Sequence, residues 1–336
     1  MIYLENDQLE IRFPELHENA GVSVSFVRTL RLPDDGEVHF LPPGFSSFPL
    51  RHIEDFDLGR NEALKKRGGV IMPMFQADAL WISFNSMQAN EDDIKYPIAL
   101  KIGTGKVCAI SGDRWSNSLN LNPQDYLVVP EQPWLDGYNV GKSTVKQFVA
   151  APLGQGYTAE EQITGEAIFG GIQIQAFPMK KEYYNRLNQP IVDHFERAAY
   201  SMSACPDPSF EMGLAPGGEM FQEIYDDPHD FEAWDLRKTE RCFLTLANAS
   251  QWMSITGEEP PLSPQTADDY TDAGLPWFEY FGGDKIAIEG AKRLGKLKSM
   301  KHVQPKTGEN IWPTDQPIQN PKVVPVNKKE IKVGVW

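Results

Sequence analysis

The sequence predicts a mainly β protein of the α+β class: an antiparallel, β-sandwich-like core, a smaller helical portion packed on it, and an extended C-terminal arm. Three observations predict it. Apolar residues recur at period two through the first half of the chain, helix signals gather after about residue 178, and Pro305, Pro313, Pro317, Pro321 and Pro325 crowd the final stretch. The chain has 336 residues, 41% hydrophobic and 24% charged, which suffices for a packed core and is too apolar for a disordered chain.

Along the chain, Ser23 to Leu32 alternates, turning Val24, Phe26, Leu30 and Leu32 towards a core before Pro33-Asp34-Asp35-Gly36 supplies a turn. Leu80, Ile82 and Phe84 repeat the pattern, as do Ile98, Leu100 and Ile102, and Gly103-Thr104-Gly105 joins the latter to Lys106–Ile110 as a hairpin. Val145–Ala150 and Ile172–Phe177 read as half-buried antiparallel strands with one polar or small face. Between them, Thr158 and Glu161 have the spacing of a capping box, so a short helix begins there and stops before Gly165.

The pattern then divides the chain into a β-rich core over residues 1–178, a mixed, helix-rich portion over 179–301 and a proline-rich arm over 302–336. Glu182–Tyr200 suits a helix interrupted by Pro190, and Asp230–Cys242 is rich in helix formers. Thr266 to Asp269 is a second capping-box candidate, and Asp284 suits the cap of a helix carrying Ile286, Ile288, Leu294 and Leu297 before the basic run Lys296–Lys301. Prolines this close together exclude a helix in the arm, while Glu330–Trp336 alternates like a strand.

Charge and composition narrow the function. A formal net charge of -15 repels the phosphate backbone, so nucleic acid is not expected as a partner. No apolar run reaches the roughly 18–20 residues of a membrane span, and the first residues lack a basic stretch followed by an apolar one, so the reading is a soluble chain that is neither exported nor membrane-spanning. Cys108, Cys205 and Cys242 are odd in number and widely separated, which reads as buried free thiols in a reducing cytoplasm.

No catalytic residue can be named, and no cofactor is expected. Gly137–Thr144 looks like a phosphate loop but has three residues between its first Gly and the Gly141-Lys142 pair where four are needed, and a strand follows instead of a helix. Asp226, Asp227, His229 and Asp230 gather three carboxylates and an imidazole, a set hard cations favour; a solvated acidic loop capping the next helix accounts for them, so no metal site is expected. His52–Asp57 has the same explanation as a charged turn. There is no GxSxG elbow, the six His fall in no signature, and choosing a glycosidase pair among 47 acidic residues would be arbitrary. Aromatic residues beside turn glycines are more suggestive: Trp134, Asp136 and Tyr138 in one group, Trp277, Phe278 and Tyr280 in another, are candidates for a ligand site or an interface.

Phe26–Gly36, Gln124–Pro130, Gln132–Gly137, Gln147–Ala150 through Gly171, Arg241–Asn248 and Pro276–Phe278 resemble phrases of an uncharacterised, mostly bacterial family. The resemblance covers most of the chain before the arm and implies no activity, cofactor or site residue. Members are sometimes labelled integral membrane proteins. The hydropathy of this chain argues against that label, because alternating strands with a polar face cannot lie in hydrocarbon as an open sheet.

The functional expectation is a non-enzymatic binding or structural assembly protein forming a homo-oligomer through the arm, with Ile331, Val333, Val335 and Trp336 as the anchor. The alternatives are a carbohydrate-binding protein or hydrolase with an aromatic-lined acidic cleft, and a divalent-metal protein at the Asp226–Asp230 loop.

Overall fold

Alternating β-branched and aromatic residues form strands here because a pleated backbone sends them to one side, where a second sheet removes them from water. The computed structural model describes residues 1–58, 62–88, 94–187, 212–261, 266–280, 285–303, 318 and 321–326. Along the main path of the first sheet lie Ile2–Glu5, Gln8–Arg12, Gly21–Thr29, Ala79–Ser86, Thr144–Pro152, Met212–Phe221 and Val38–His39. Gly44–Ser47, Trp134–Leu135 and Gly137–Gly141 pair with strands of this path. The second sheet runs Val107–Cys108, Ile98–Thr104, Ile172–Pro178, Glu240–Ala247, Val70–Pro73 and Arg51–His52, with Leu127–Val129 paired to Ile98–Thr104.

Both sheets contribute to one apolar cluster. Val24, Phe26, Ile82 and Phe148 of the first pack into the same buried core as Leu100, Ile102, Ile174 and Leu244 of the second. Leu30 and Leu32 lie past the end of their strand and are equally buried. The Tyr138 hydroxyl links the layers through Thr104 Oγ1 and the Leu214 carbonyl, both at 3.0 Å. The result is a mainly β, sandwich-like core with few helices. Its principal pairs are antiparallel, while Val38–His39, Val70–Pro73 and Pro276–Tyr280 each find a parallel partner.

Local signals hold where they are short-range. The hairpin expected after Ile102 turns at Gly105, whose φ of 54° lies in the left-handed region. Ala159–Thr164 is a helix with both halves of its capping box, Thr158 accepting from Glu161 N and Glu161 from Thr158 N, and Gly165 closes it. A second box, Asn248 with Gln251, starts the helix Ala249–Thr256.

Three expectations change. Ile172–Phe177, expected to be half-buried, is buried on both faces, as is Ile98–Thr104 beside it: Lys101 is 1% exposed, with its ammonium bonded to Asp125, Ser116 and the Ser118 carbonyl. Gln173 donates to the Gly105 carbonyl, and Gln175 to Asn117 O and Thr239 Oγ1. The polar face is solvated by the protein's own loops. Asp230–Cys242 is one turn of 3-10 helix, Phe231–Ala233, followed by the strand Glu240–Ala247, whose place beside Ile172–Pro178 outweighs local propensity. In place of a helix over the described residues from Lys285, Ala287 bridges Tyr225 and a single 3-10 turn covers Leu294–Lys296. Gly290 lies so close to Gly141 that an added Cβ would come within 2.2 Å of its nitrogen, and that contact follows an extended path.

The described helix Lys181–Leu187 overlaps the start of the expected Glu182–Tyr200 segment, beginning one residue before it; Pro190, Cys205 and Asp284 lie outside the described residues, as do Ile331, Val333, Val335 and Trp336. The middle of the arm, Lys322–Val326, pairs in parallel with Pro276–Tyr280 of the same chain. Pro325 is accommodated because this is a two-stranded pairing that leaves an edge. Ending the chain at Val303 should therefore lower the thermal midpoint, by about 2–4 °C for each kcal/mol lost. Melting and native mass are to be measured together. A truncated chain that melts with the full-length protein would show that the pairing contributes nothing.

Candidate functional site

Three regions distant in sequence meet at the end of the first sheet. The parallel pairing of Glu219 with Val38 and Met220 with His39 sets Phe40 beside Phe221, ring centroids 5.9 Å apart. The segment from Gln132 to Trp134 leads into the short strand that pairs with Ala79–Ser86. The third region is Pro276–Tyr280: Leu41 and Phe278 exchange backbone hydrogen bonds, each at 2.9 Å, and Tyr280 meets Trp134 edge to face at 4.7 Å. Between these segments lies a groove of about 300 Å³.

Rings dominate its walls. Phe40, Trp134 and Phe278 are half-buried, while Phe221 and Tyr280 are 48% and 38% exposed. Isolated exposed rings are ordinary, but several converging on one concavity mark an interaction site. Glu223 and Glu279 add carboxylates, and no Lys, Arg or His is among the described residues lining the groove. Ser143 donates to Glu223 at 3.4 Å.

The backing of the groove is fixed by buried amides. Gln222 accepts from Asp136 N at 2.9 Å and donates to the Trp134 carbonyl at 3.2 Å. Gln132 accepts from Tyr225 N at 3.0 Å and donates to the carbonyls of Trp134 and Glu223 at 3.1 and 3.2 Å. Behind Trp134 stands Asp136, which accepts the indole N–H. Burial pushes its carboxyl up to about 7, an effect the Trp134 hydrogen bond opposes. Burial raises the phenols of both Tyr225 and Tyr280. Lys285 donates to the Glu131 carbonyl at 2.7 Å and holds its ammonium 4.9 Å from the centroid of Tyr225.

The structure thus brings together Trp134, Phe278 and Tyr280 from the two aromatic groups, with Asp136 behind them. Tyr138 and Trp277 lie in the core, 0% and 1% exposed; the Trp277 indole N–H reaches Thr271 at 3.3 Å. Sequence reasoning missed Phe40, Phe221, Glu223, Tyr225, Gln132 and Gln222. The adjacency of Phe221, Gln222 and Glu223 to a strand was the available signal, but nothing local places Phe40 opposite them.

In the acidic loop, Asp227 accepts from Tyr126 OH at 2.6 Å, Trp234 Nε1 at 2.7 Å and His229 N at 2.9 Å, so its carboxylate is a structural acceptor. Asp226 and Asp230 are exposed, and Asp230 precedes its 3-10 turn without a side-chain cap bond. His229 Nε2 is buried without a hydrogen-bond partner, as is Glu131 Oε2, whose carboxyl burial raises above its ordinary range. Among the described residues no group of three His, Cys, Asp or Glu is placed to hold a metal ion. Lys142 tips the turn before Thr144–Pro152 and forms an exposed pair with Glu289 at 3.7 Å; the loop is a hairpin. Among those residues no helix is long and apolar enough to cross a membrane. Comparison with protein-family models, curated proteins and solved structures finds no match in any of the three.

Two outcomes follow for the backing. Gln222→Ala strips a buried backbone N–H of its acceptor and should cost about 1–3 kcal/mol in denaturant unfolding, more than its lost contacts alone. For Asp136 the folded state raises the pKa, so its stabilising contribution is complete below about pH 4 and is lost as pH rises through about 7. Wild type should accordingly gain stability relative to Asp136→Asn as pH falls from 8 to 5, at no more than about 1.4 kcal/mol per pH unit. A difference between the two that stays constant with pH would contradict the burial of an ionisable carboxyl there.

Proposed function

We propose that the chain is a non-enzymatic binding protein whose ligand seats in the groove between Trp134, Phe221 and Tyr280. One observation carries the reading: aromatic rings from three separate segments converge on one concavity whose backing is immobilised by buried side-chain hydrogen bonds. A wall already held in place loses little freedom when a ligand arrives, and that is where affinity comes from. The described lining includes no imidazole or thiol, and its Ser143 hydroxyl is taken up by the Glu223 carboxylate. The buried thiols Cys108 and Cys242 suit a reducing cytoplasm.

Assembly into a homo-oligomer belongs to the same proposal. Ten residues follow Val326, and Ile331, Val333, Val335 and Trp336 among them have the alternation of a strand that adds to another copy. Native mass of the full chain against the chain ending at Val303 tests this part: equal subunit numbers would remove it.

A small-molecule collection screened by thermal shift tests the groove. At least one compound should raise the melting temperature, and the rise should vanish in Phe221→Ala combined with Tyr280→Ala, measured against that variant's own melting temperature without compound. A stabilising compound indifferent to that double variant would place binding elsewhere. An empty screen would count against a ligand groove altogether.

A further inference from the structure

The polar groups of the groove are unbalanced. Most of its side-chain donors are engaged: the Gln132 amide donates to two backbone carbonyls and the Gln222 amide to one, the Trp134 indole N–H to Asp136, and the Ser143 hydroxyl to Glu223. Among the described lining, the phenols of Tyr225 and Tyr280 are the donors that remain. Its acceptors are not matched in the same way. Glu223 and Glu279 line the groove, and among the described residues neither forms an ion pair with a Lys, Arg or His. Glu223 stands close enough to Tyr225 for its charge to raise that phenol.

From this imbalance, and resting on the binding role proposed for the groove, we infer that its ligand is a small organic cation, an ammonium or quaternary ammonium group held between aromatic faces and the two glutamates. Ring faces attract a cation through their quadrupole, most strongly for Trp. Two carboxylates on a chain of net charge -15 reinforce the attraction and repel anions. Tyr225 shows the geometry within the molecule, with the Lys285 ammonium 4.9 Å from its ring centroid. That face is taken, while Phe221 and Tyr280 stay exposed. A cation asks no hydrogen of the groove, whereas each bound sugar hydroxyl both donates and accepts. The volume, about 300 Å³, suits one small molecule or a single head group.

The test uses the full chain at low ionic strength and three probes: choline, its neutral isostere 3,3-dimethylbutan-1-ol, and cellobiose. Titration calorimetry and tryptophan fluorescence follow binding. Choline should bind saturably, at least tenfold more tightly than the isostere, and weaken in 0.5 M salt. Glu223→Gln with Glu279→Gln should lower choline affinity tenfold or more while the isostere is unaffected; Glu279→Gln alone, at an exposed side chain, serves if the double variant fails to fold. Equal binding of choline and its isostere would overturn the inference and leave an apolar groove. Cellobiose binding without choline binding would overturn it in favour of the carbohydrate reading. If none of the three binds while the thermal screen still yields a compound lost in Phe221→Ala, Tyr280→Ala, the cation inference fails by itself. An empty screen as well removes the groove with it.

Discussion

Three buried glutamine side chains, Gln124, Gln132 and Gln222, join two stretches of backbone that have no regular ladder between them. Gln124 accepts from Asp227 N and donates to the carbonyls of Tyr126 and Tyr225; Gln132 and Gln222 continue the same stitching from Tyr225 to Trp134. A primary amide suits this role because it carries donor and acceptor without charge, so it substitutes for a missing strand inside a low-dielectric wall. Glutamate would keep the shape, lose the donor and bury a charge beside carbonyl oxygens. The segment bearing Trp134 is thereby held against the end of the strand Met212–Phe221, and the groove depends on that attachment. Gln147 does the same for the first sheet, accepting from Leu32 N and donating to Leu30 O.

Much of the fold was legible because strand periodicity and helix caps are local. Val24, Phe26, Leu100, Ile102 and Ile174 point where their alternation sends them, and the Thr158 box starts a helix at the expected residue. What stayed hidden was the fate of the other face. Lys101, Gln173 and Gln175 read as solvent-facing, since polarity at period two ordinarily means water; loops cover them and supply partners instead. The same non-local pull ended Asp230–Cys242, a segment rich in helix formers, in the strand Glu240–Ala247 between Ile172–Pro178 and Val70–Pro73.

The groove was half legible for a related reason. Trp134, Phe278 and Tyr280 attract notice because large rings beside turn glycines must either close a core or meet a ligand. Their neighbours Tyr138 and Trp277 show that both fates occur within a few residues: Trp277 turns inward to Tyr270 while Phe278, Glu279 and Tyr280 line the groove. Phe40 and Phe221 carried no such mark. They meet only because Val38–His39 pairs in parallel with a strand some 180 residues later, a register no local pattern specifies.

The glutamines that build the wall also shape what it can recognise. Every amide hydrogen used to hold Trp134 and Glu223 by their carbonyls is a hydrogen withheld from the groove, and the Trp134 indole N–H points to Asp136 behind the wall. Rigidity and donor poverty are thus one structural fact. Asp136 deepens it: within the fold it takes up a proton near neutrality, and when ionised it adds a negative charge behind the Trp134 ring without offering a hydrogen. A groove assembled this way is stiff, acidic and lined with π faces, and under the proposed binding role its selectivity would rest on charge and ring contact more than on a pattern of directional hydrogen bonds.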